Sequence, residues 1–421
     1  MTRRGTRGRA GARAALLLLL AFLWAHGAPV AGAATAPERG PKLDAKSWIV
    51  IDARTGKPLA GHAVNRHLGM ASTTKMMTAY LAIESLPLQK RVRAVDYHPD
   101  PAESLMGLKP GQVVSVRDLL YGLMMLSGND AAVTLAKAVS GTEAKFVTLM
   151  NQTAAQLGLA NTHYDNPVGL DGPSHYTSAA DLARLGRIVM GVPRLRGIAG
   201  SRVAKLTSYQ PPVTIETTDS FLRDNAWARG IKTGHTLGTG YTLASDGRRK
   251  ATELIGAVIG TPTEADRNGE TVRLLDWGFS LYDKQVPIKV DRPVAMVPVR
   301  YEDEDLPVRS KVRVRIGVRK GEKLEVVTDL PDEVEGPIQA GAKLGTATVL
   351  LDGASFRKVP LYAGRSVAKP SLIDRLLGSP LLIVGLLLLA LSAILALWVL
   401  ARRRQEANAR KRLQRVLRSR R

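Results

Sequence analysis

The stretch Ala71-Ser-Thr-Thr-Lys-Met-Met-Thr-Ala-Tyr80 begins an amphipathic helix and places a serine and a lysine near its start. Ser72 and Lys75 are three positions apart, and residues at i and i+3 project from the same face of a helix. The lysine amine can then accept the proton of the serine hydroxyl, and the helix N-terminus favours negative charge developing at the serine. This stretch therefore predicts a nucleophilic serine at position 72, with Lys75 as its base.

The spacing alone does not decide the site, because S-x-x-K occurs three times in the chain. A second match joins Ser355 to Lys358, and a third joins Ser366 to Lys369. Prolines follow both of these closely, in a β-rich region and in a stalk. Only the match at Ser72 is followed by residues that continue a helical pattern.

A second cation is expected near the base, because a lysine must be neutral to accept a proton. Burial and a neighbouring positive charge both lower the pKa of a lysine. The chain offers such a charge in Lys232-Thr-Gly234, its only K-T-G sequence, which should lie on a strand just before a hairpin. Gly234 would let the backbone of a substrate approach the edge of that strand.

A third short motif, Ser127-Gly-Asn129, is the only S-x-N sequence and comes at the end of a predicted helix. Taken singly, the three motifs have ordinary structural interpretations as a helix cap, a turn and a surface lysine. Their occurrence in this order within one exported domain favours a common catalytic site.

The hydrophobic pattern around these motifs predicts an α+β domain. Helical periodicity dominates from Ser72 to about Val192, after a predicted strand at Ser47–Asp52. Residues 230–260 switch to strands, with a predicted turn at Ser245-Asp-Gly247, because Asp-Gly between apolar runs is typical of a hairpin. A further helix is predicted over Glu270–Tyr282. Hairpins that bracket a helical block define this fold class.

From about Gln285, the chain consists of short runs rich in valine and isoleucine, separated by proline, glycine and charged residues. This pattern predicts a small all-β domain that ends near Val367. The predicted organisation is a signal peptide over 1–33, a catalytic domain over 34–284, a β-rich domain over 285–368, a stalk over 369–380, a transmembrane helix over 381–401 and a basic tail over 402–421.

The N-terminal residues have the pattern of a secretory signal. Five arginines precede an apolar run over Ala14–Ala25, and Ala31-Gly-Ala33 is a typical cleavage sequence. An uncleaved anchor helix is the alternative, but the apolar run is short for a membrane span. We therefore expect cleavage after Ala33.

Near the C-terminus, Leu381–Leu400 contains no charged residue. Twenty helical residues extend about 30 Å, which is the thickness of the apolar layer of a bilayer. Trp398 lies near one end, and Arg402-Arg-Arg404 follows the span directly. The positive-inside rule then predicts a cytoplasmic tail and an external catalytic domain. A buried core helix is the other interpretation of such a segment.

Composition excludes several classes of function. The chain has 421 residues and no cysteine, which excludes thiol catalysis and cysteine-based metal sites. Its formal net charge of +23 suggests nucleic acid, but the charge is concentrated at the two ends and only 5% of residues are aromatic. We therefore expect no nucleic-acid partner.

The sequence pattern also argues against a metal site. No phosphate-binding loop and no H-E-x-x-H sequence occurs. His163 and His175 lie near Asp165 and Asp171, but their spacing fits no standard set of metal ligands.

The three motifs resemble those of the penicillin-binding proteins and serine β-lactamases. The closer likeness is to the D-Ala-D-Ala carboxypeptidases among the low-molecular-mass penicillin-binding proteins. That likeness extends over Leu126–Ala132, Asn161–Leu170 and Gly230–Thr236, and the β-rich region is similar, more loosely, to the family's C-terminal domain. The resemblance implies a β-lactamase/transpeptidase-like catalytic domain, with a helical block beside an antiparallel sheet.

The resemblance also implies catalytic roles. Ser72 would be acylated by the penultimate D-Ala carbonyl of a peptidoglycan stem peptide, with Lys75 as the base. Ser127 would pass a proton to the departing D-alanine. The backbone N–H groups of Ser72 and His235 would form the oxyanion hole. No metal and no cofactor are implied.

The remaining implied roles concern binding. Asn129 would bind the peptide amide of the substrate, and Lys232 and Thr233 would hold its terminal carboxylate, beside Gly234. The implied ligands are stem peptides of peptidoglycan and β-lactam antibiotics, so the predicted process is cell-wall biogenesis at the membrane.

The sequence departs from the family pattern at two positions near the motifs. Met70 replaces a frequent proline, and Arg229 replaces a frequent acidic residue before Gly-x-Lys-Thr-Gly. The anchor differs too, because a full span replaces the amphipathic surface helix common in the family.

Three alternative functions remain. A D,D-endopeptidase would use the same site on cross-linked peptides. A β-lactamase is less favoured, because Gly128 replaces the aspartate usual in class A enzymes and no glutamate-bearing loop is evident. The alternative of another class is an inactive, membrane-anchored protein that only binds the cell wall.

Overall fold

The computed structural model describes residues 40–377 and 380–418, so the predicted signal peptide over 1–33 lies outside the described residues. The described helices are α1 Lys75–Ser85, α2 Val116–Met125, α3 Asn129–Ser140, α4 Glu143–Gln156, α5 Ala179–Gly191, α6 Pro193–Ala199, α7 Ser220–Asp224, α8 Glu264–Ser280, α9 Leu372–Leu377 and α10 Pro380–Arg418. A 3₁₀ turn, Ala71–Thr74, precedes α1 directly.

Sixteen strands accompany these helices in the described part of the chain. They are β1 Ser47–Asp52, β2 Pro58–His62, β3 Arg91–Arg93, β4 Val113–Ser115, β5 Val203–Leu206, β6 Val213–Glu216, β7 Ala228–Thr236, β8 Gly240–Arg249, β9 Thr252–Thr261, β10 Tyr282–Ile288, β11 Ala295–Val297, β12 Leu306–Arg309, β13 Val314–Arg319, β14 Leu324–Asp329, β15 Lys343–Leu351 and β16 Ala354–Ala363.

The catalytic domain is built on an antiparallel sheet of five strands in the order β2-β1-β9-β8-β7. Helix α8 packs against β8 and β9, and α5 packs against β1, β8 and β9. The two helices belong to different apolar clusters, so they cover opposite faces of the sheet. Cover on both faces explains the continuous apolar run of β9, whose residues are almost all buried. Strand β7 is left at the edge of this sheet, where it borders the 3₁₀ turn.

Helix α1 lies in the middle of the helical block. Its side chains Met76, Met77, Ala79 and Ala82 are fully buried, and it packs against α2, α3 and α5. Burying each large apolar side chain contributes about 1.5–3 kcal/mol to folding. Helix α1, which follows the 3₁₀ turn Ala71–Thr74 (the nucleophile turn), is therefore held rigidly from several sides.

The starts of three surrounding helices are encoded locally. Ser115, Thr142 and Ser178 each accept a hydrogen bond from a backbone N–H three residues later, at the starts of α2, α4 and α5. Such N-caps satisfy donors that have no partner inside the helix. These caps lie within the region from Ser72 to Val192 that the sequence predicts as helical.

The C-terminal region is all β. Strands β10 and β13 form one pair, and a second sheet has the order β11-β12-β16-β15-β14. Ile288, Val308, Val314, Val349 and Leu361 form its core. The predicted α+β fold with a C-terminal all-β region is therefore confirmed.

One helix in the described residues is long and apolar enough to cross a membrane. This is α10, whose candidate span covers Leu382–Leu413 and reaches a mean hydropathy of 2.8 over its most apolar window. The leucines of the span are exposed, so the interpretation as a buried core helix is wrong. The helix also continues without a break beyond Arg402, where the basic tail was predicted to begin.

Two sequence-based predictions of local structure were wrong. Asp246 lies inside β8, opposite Ile255 of β9, and the hairpin turns instead at 250–251. Helix α8 begins at Glu264, six residues before the predicted start, because Thr263 caps it by accepting a hydrogen bond from the Asp266 N–H. In both places, long-range pairing or a cap outweighs the local apolar pattern.

Candidate active site

Ser72 lies in the 3₁₀ turn Ala71–Thr74, which directly precedes α1 and packs against β7. Its side chain is half-buried. Two glycines let other segments pack directly against this turn. A Cβ on Gly234 would lie 3.0 Å from the Ser72 nitrogen, and one on Gly169 would lie 2.1 Å from the Ala71 oxygen. The residue at position 169 must therefore lack a side chain, and one at position 234 would press on the turn.

Lys75 is placed to act as a base. Its Nζ lies 3.0 Å from the Ser72 Oγ and 2.5 Å from the Val168 carbonyl oxygen, and its side chain is fully buried. Burial lowers the pKa of Lys75 well below its ordinary value, and the charge of Lys232 lowers it further, while Glu103 and Asp130 oppose the shift. A lysine in this environment can hold a neutral amine beside the hydroxyl.

Lys232 supplies the expected second cation. It is 2% exposed, and its Nζ donates a hydrogen bond of 2.9 Å to the Thr233 carbonyl. Burial lowers the pKa of Lys232 to about 8, with Asp219 opposing and Arg267 assisting the shift. The charge of Lys232 acts on Lys75, whose Nζ lies 3.0 Å from the Ser72 Oγ, so the structure brings these three side chains together.

The Ser127-Gly-Asn129 motif forms the connection between α2 and α3. Ser127 is nearly buried and has a backbone φ of +60°, a left-handed conformation that is uncommon for residues other than glycine. Asn129 begins α3, and its Nδ2 donates to the Glu103 Oε2 at 2.5 Å. Asp130, which follows the motif, and Glu103, which Asn129 contacts, both oppose the lowering of the pKa of Lys75.

Sequence analysis missed Glu103. Its carboxylate accepts hydrogen bonds from the Tyr97 hydroxyl, the Asn129 amide and the Asp100 N–H. Burial raises the pKa of Glu103, but these hydrogen bonds outweigh it and leave the pKa below its ordinary value. An isolated glutamate in a polar loop carries no sequence signal for this role.

Asp130 fixes the same loop from the other side. Its carboxylate accepts the backbone N–H groups of Met106, Gly107 and Leu108, at 2.8–2.9 Å. The loop that carries Glu103 is therefore tied to the first turn of α3, which holds Asn129 in a defined orientation.

Strand β7 lies beside the 3₁₀ turn that carries Ser72. Thr233 is half-buried, Gly234 is buried, and His235 is exposed with its ring stacked on Tyr241 at 4.0 Å between centroids. Among the described residues, strand β7 pairs with β8 only, so the backbone groups of its other edge have no partner strand.

The histidines considered as metal ligands have other partners. His163 Nδ1 lies 2.9 Å from the Ser174 carbonyl, and His175 Nε2 lies 2.8 Å from the Thr74 Oγ1. Asp171 accepts hydrogen bonds from the hydroxyls of Thr236 and Thr239. No cluster of three or more metal-ligating side chains occurs within 40–377 and 380–418.

The two departures from the family pattern lie close to the site without entering it. Met70 is buried, and its carbonyl accepts the hydroxyl of Thr73. Arg229 contacts Glu253 at 2.5 Å and lies 3.9 Å from the buried Asp246. Burial raises the pKa of Asp246 to about 7, and neither of its carboxylate oxygens has a hydrogen-bond partner.

Gly169 offers a direct test of how tightly the nucleophile turn is packed. We expect Gly169→Ala to lower the rate of acylation by penicillin at least about tenfold, because the new methyl group would displace the Ala71 carbonyl. Gly111→Ala is the matched control, since Gly111 also has a positive φ but has open space around it. It should lose about 1 kcal/mol of stability and keep its acylation rate. Equal acylation rates for the two variants would contradict this packing.

A serine hydroxyl beside a buried lysine, with a second buried lysine and a free strand edge, defines a serine enzyme of the acyl-transfer class. The comparisons with known proteins agree. Residues 33–263 match the family of D-alanyl-D-alanine carboxypeptidases (Peptidase_S11), and residues 282–369 match the C-terminal domain of penicillin-binding protein 5. The chain belongs to the D-alanyl-D-alanine carboxypeptidase family and is a serine hydrolase.

Relatives in this family are similar along most of their length. DacF of Bacillus subtilis is 30% identical, over 85% of this chain and 95% of its own. DacC of Escherichia coli is 32% identical, over 84% of this chain and 92% of its own. Among solved structures, DacD of Francisella tularensis has a TM-score of 0.56 and 26% identity, over 83% of this chain and 98% of its own. The resemblance inferred from the three motifs is therefore confirmed.

Proposed function

We propose that this protein removes the terminal D-alanine from peptidoglycan stem pentapeptides through an acyl-enzyme on Ser72. The observation that carries the proposal is the buried Lys75 amine, 3.0 Å from the Ser72 hydroxyl and close to a second buried lysine. Family membership supports the choice of substrate, because the relatives are named as D-alanyl-D-alanine carboxypeptidases.

Acylation begins when neutral Lys75 takes the proton of Ser72. The Ser72 Oγ attacks the penultimate D-Ala carbonyl, and the negative charge on its oxygen is stabilised by the backbone N–H groups of Ser72 and His235. The C–N bond to the terminal D-alanine breaks as Ser127 gives its proton to the departing amine. Ser127 regains a proton from the Lys75 ammonium, which leaves Lys75 neutral for the next step. An ester between Ser72 and the shortened peptide remains.

Deacylation repeats the same proton transfers with water. Lys75 takes a proton from a water molecule, which attacks the ester carbonyl, and the proton returns to Ser72 as the ester bond breaks. Penicillin enters the same route, because its β-lactam amide is opened by Ser72 in the same way. The leaving amine then stays attached to the adduct.

Substrate recognition follows from the walls of the cleft. Asn129 binds the peptide amide, in the orientation that Glu103 gives it, and the Lys232 ammonium with Thr233 holds the terminal carboxylate. Gly234 lets the peptide backbone lie along the free edge of β7. No step requires a metal or a cofactor.

The full-length protein in detergent should convert a synthetic stem pentapeptide to the tetrapeptide and free D-alanine. Mass spectrometry of the peptide products checks this and separates the alternatives. A protein that leaves the pentapeptide intact but cuts a cross-linked dimer would be an endopeptidase. Rapid turnover of penicillin without peptide hydrolysis would indicate a β-lactamase, and an unreactive protein would indicate a binding role only.

We also propose that the catalytic domain over 34–284 and the β-rich domain over 285–368 lie outside the cell membrane. The candidate span of α10, which begins at Leu382, supports anchoring, and the basic residues from Arg402 onward support a cytoplasmic tail. Residues 1–33 would direct export, and 369–380 would connect the β-rich domain to the membrane.

Protease added to spheroplasts should digest the catalytic domain and spare an epitope attached after Arg421. The membrane protects only what lies on its cytoplasmic side, so the retained epitope reports the orientation. Protease added after detergent lysis is the control and should remove the epitope. Loss of the epitope in intact spheroplasts would reverse the proposed topology.

A further inference from the structure

A chain of hydrogen bonds connects His175 to the backbone just before the nucleophile. The Asp165 N–H donates to the His175 Nδ1 at 3.0 Å, and the His175 Nε2 lies 2.8 Å from the Thr74 Oγ1. The Thr74 hydroxyl donates in turn to the Ala71 carbonyl oxygen at 2.8 Å. The two contacts of Thr74 are buried, since Thr74 is fully buried and His175 is 4% exposed, and the contact of Asp165 is partly buried.

The direction of every hydrogen bond in this chain is fixed. A backbone N–H can only donate, so the His175 Nδ1 that receives it must carry no proton. The neutral imidazole then carries its proton on Nε2 and donates to Thr74. The Thr74 hydroxyl in turn donates its hydrogen bond to the Ala71 carbonyl. His175 and Thr74 therefore each accept one hydrogen bond and donate one.

Ala71, whose carbonyl accepts the last hydrogen bond of the chain, is in a strained backbone conformation. Ala71 has a backbone φ of +48°, a left-handed conformation that costs about 1 kcal/mol or more for a residue with a side chain. Its carbonyl also packs against Gly169, where no Cβ could fit. Such a conformation persists only where its surroundings enforce it, and the Thr74 hydroxyl is one of the groups that do so.

The carbonyl of Ala71 and the N–H of Ser72 belong to one planar peptide group. In a trans peptide the C=O and the N–H point in opposite directions, so fixing the Ala71 oxygen also fixes the direction of the Ser72 N–H. That N–H is one of the two donors that the proposed mechanism assigns to the oxyanion hole. Such donors stabilise the developing charge only when their N–H bonds point at the oxyanion.

We propose that His175 is a positioning residue for acyl transfer, which acts through Thr74 and the Ala71 carbonyl to aim the Ser72 N–H at the oxyanion. This inference rests on the proposed function, because it needs an oxyanion at that place.

Burial keeps the His175 imidazole neutral, and the charged groups around it act in both directions. Burial lowers the pKa of His175 to about 4, and the charges of His163 and Lys75 assist, while Asp165 and Asp171 oppose. At neutral pH the ring therefore has the single proton that the hydrogen-bond chain requires. A second proton would set the His175 Nδ1–H against the Asp165 N–H.

The test separates binding of penicillin from the chemical step, by stopped-flow measurement of the dissociation constant and the acylation rate constant of the full-length protein. We expect His175→Leu and Thr74→Val each to lower the acylation rate constant about 10- to 100-fold and to leave the dissociation constant unchanged. Thr74→Ser restores the hydroxyl and should restore most of the rate. His163→Gln is the control, because the His163 ring contacts the Asp165 carboxylate and the Ser174 carbonyl but has no hydrogen bond to His175 or Thr74. It should react like the wild type.

The double variant His175→Leu/Thr74→Val tests whether the two residues act as one chain. It should be no slower than the slower single variant, because either change already breaks the chain. Single-variant rate constants within twofold of the wild type, or losses that multiply in the double variant, would overturn the inference. If His175→Leu does not fold, the comparison of Thr74→Val with Thr74→Ser tests whether the hydroxyl in the chain controls the acylation rate constant. An unreactive wild type would instead refute the proposed function, and this inference with it.

Discussion

Replacing Ser72 with alanine should lower the release of D-alanine from a stem pentapeptide by about 10⁴-fold or more. The reason is that the hydroxyl is the atom that becomes acylated, so its removal leaves only water as a nucleophile in the site. Lys75 would remain buried, but no proton donor would lie 3.0 Å from its amine. The measurement is the initial rate of D-alanine release by the full-length protein in detergent.

The chain supplies matched controls in its two other S-x-x-K sequences. Ser355 and Lys358 are both exposed on β16, away from any helix start, so Lys358 lacks the burial that lowers the pKa of Lys75. Ser366 follows β16, and its hydroxyl accepts the Ala340 N–H at 3.0 Å. Ser355→Ala and Ser366→Ala should both retain the wild-type rate. A comparable loss in either control would refute the assignment of the catalytic domain.

Lys75→Arg should lower the rate of acylation about 10²- to 10⁴-fold, nearly as much as Lys75→Ala. Arginine keeps the positive charge and much of the volume, but it does not deprotonate in the working range of pH. In the wild type, acylation should increase as the pH rises through the lowered pKa of Lys75, because the neutral amine is the active form. The second-order rate constant of penicillin acylation across pH measures both effects. Substantial acylation by Lys75→Arg would mean that another group takes the proton.

Lys232 should determine the alkaline side of the same profile. Its ammonium form binds the carboxylate of the ligand, so acylation should decline as the pH rises through its pKa of about 8. Lys232→Arg keeps a positive charge at high pH, and this variant should therefore remain active and lose the alkaline decline. A decline near pH 8 that persists in Lys232→Arg would assign it to a different group.

The central elements of the fold were predictable because their signals are local. The serine and lysine at i and i+3, the capped helices and the valine-rich strands each carry the pattern of the structure that they form. The hairpin after β8 was not predictable in this way. Asp246-Gly247 has the sequence of a turn, but pairing with β9 extends β8 past it to Arg249. The actual turn contains Lys250 with a φ of +54°, which no residue preference indicates.

The candidate site was predictable only in part, because several contacts join distant segments. Ser72, Lys75 and Lys232 belong to short motifs that indicate their chemistry. Glu103 lies 26 residues before its partner Asn129, and Thr74 lies 101 residues before His175. These pairs are created by the packing of loops against the first turns of helices. The sequence therefore indicates which groups react and leaves open which groups hold them in place.

Peptide mapping of the penicillin adduct tests the central claim most directly. The full-length protein is incubated with penicillin, digested with a protease and examined by tandem mass spectrometry. The account predicts one penicilloyl group on the peptide that contains Ser72, attached to that serine. An adduct on Ser355 or Ser366, or peptide hydrolysis by a protein that never forms an adduct, would contradict it.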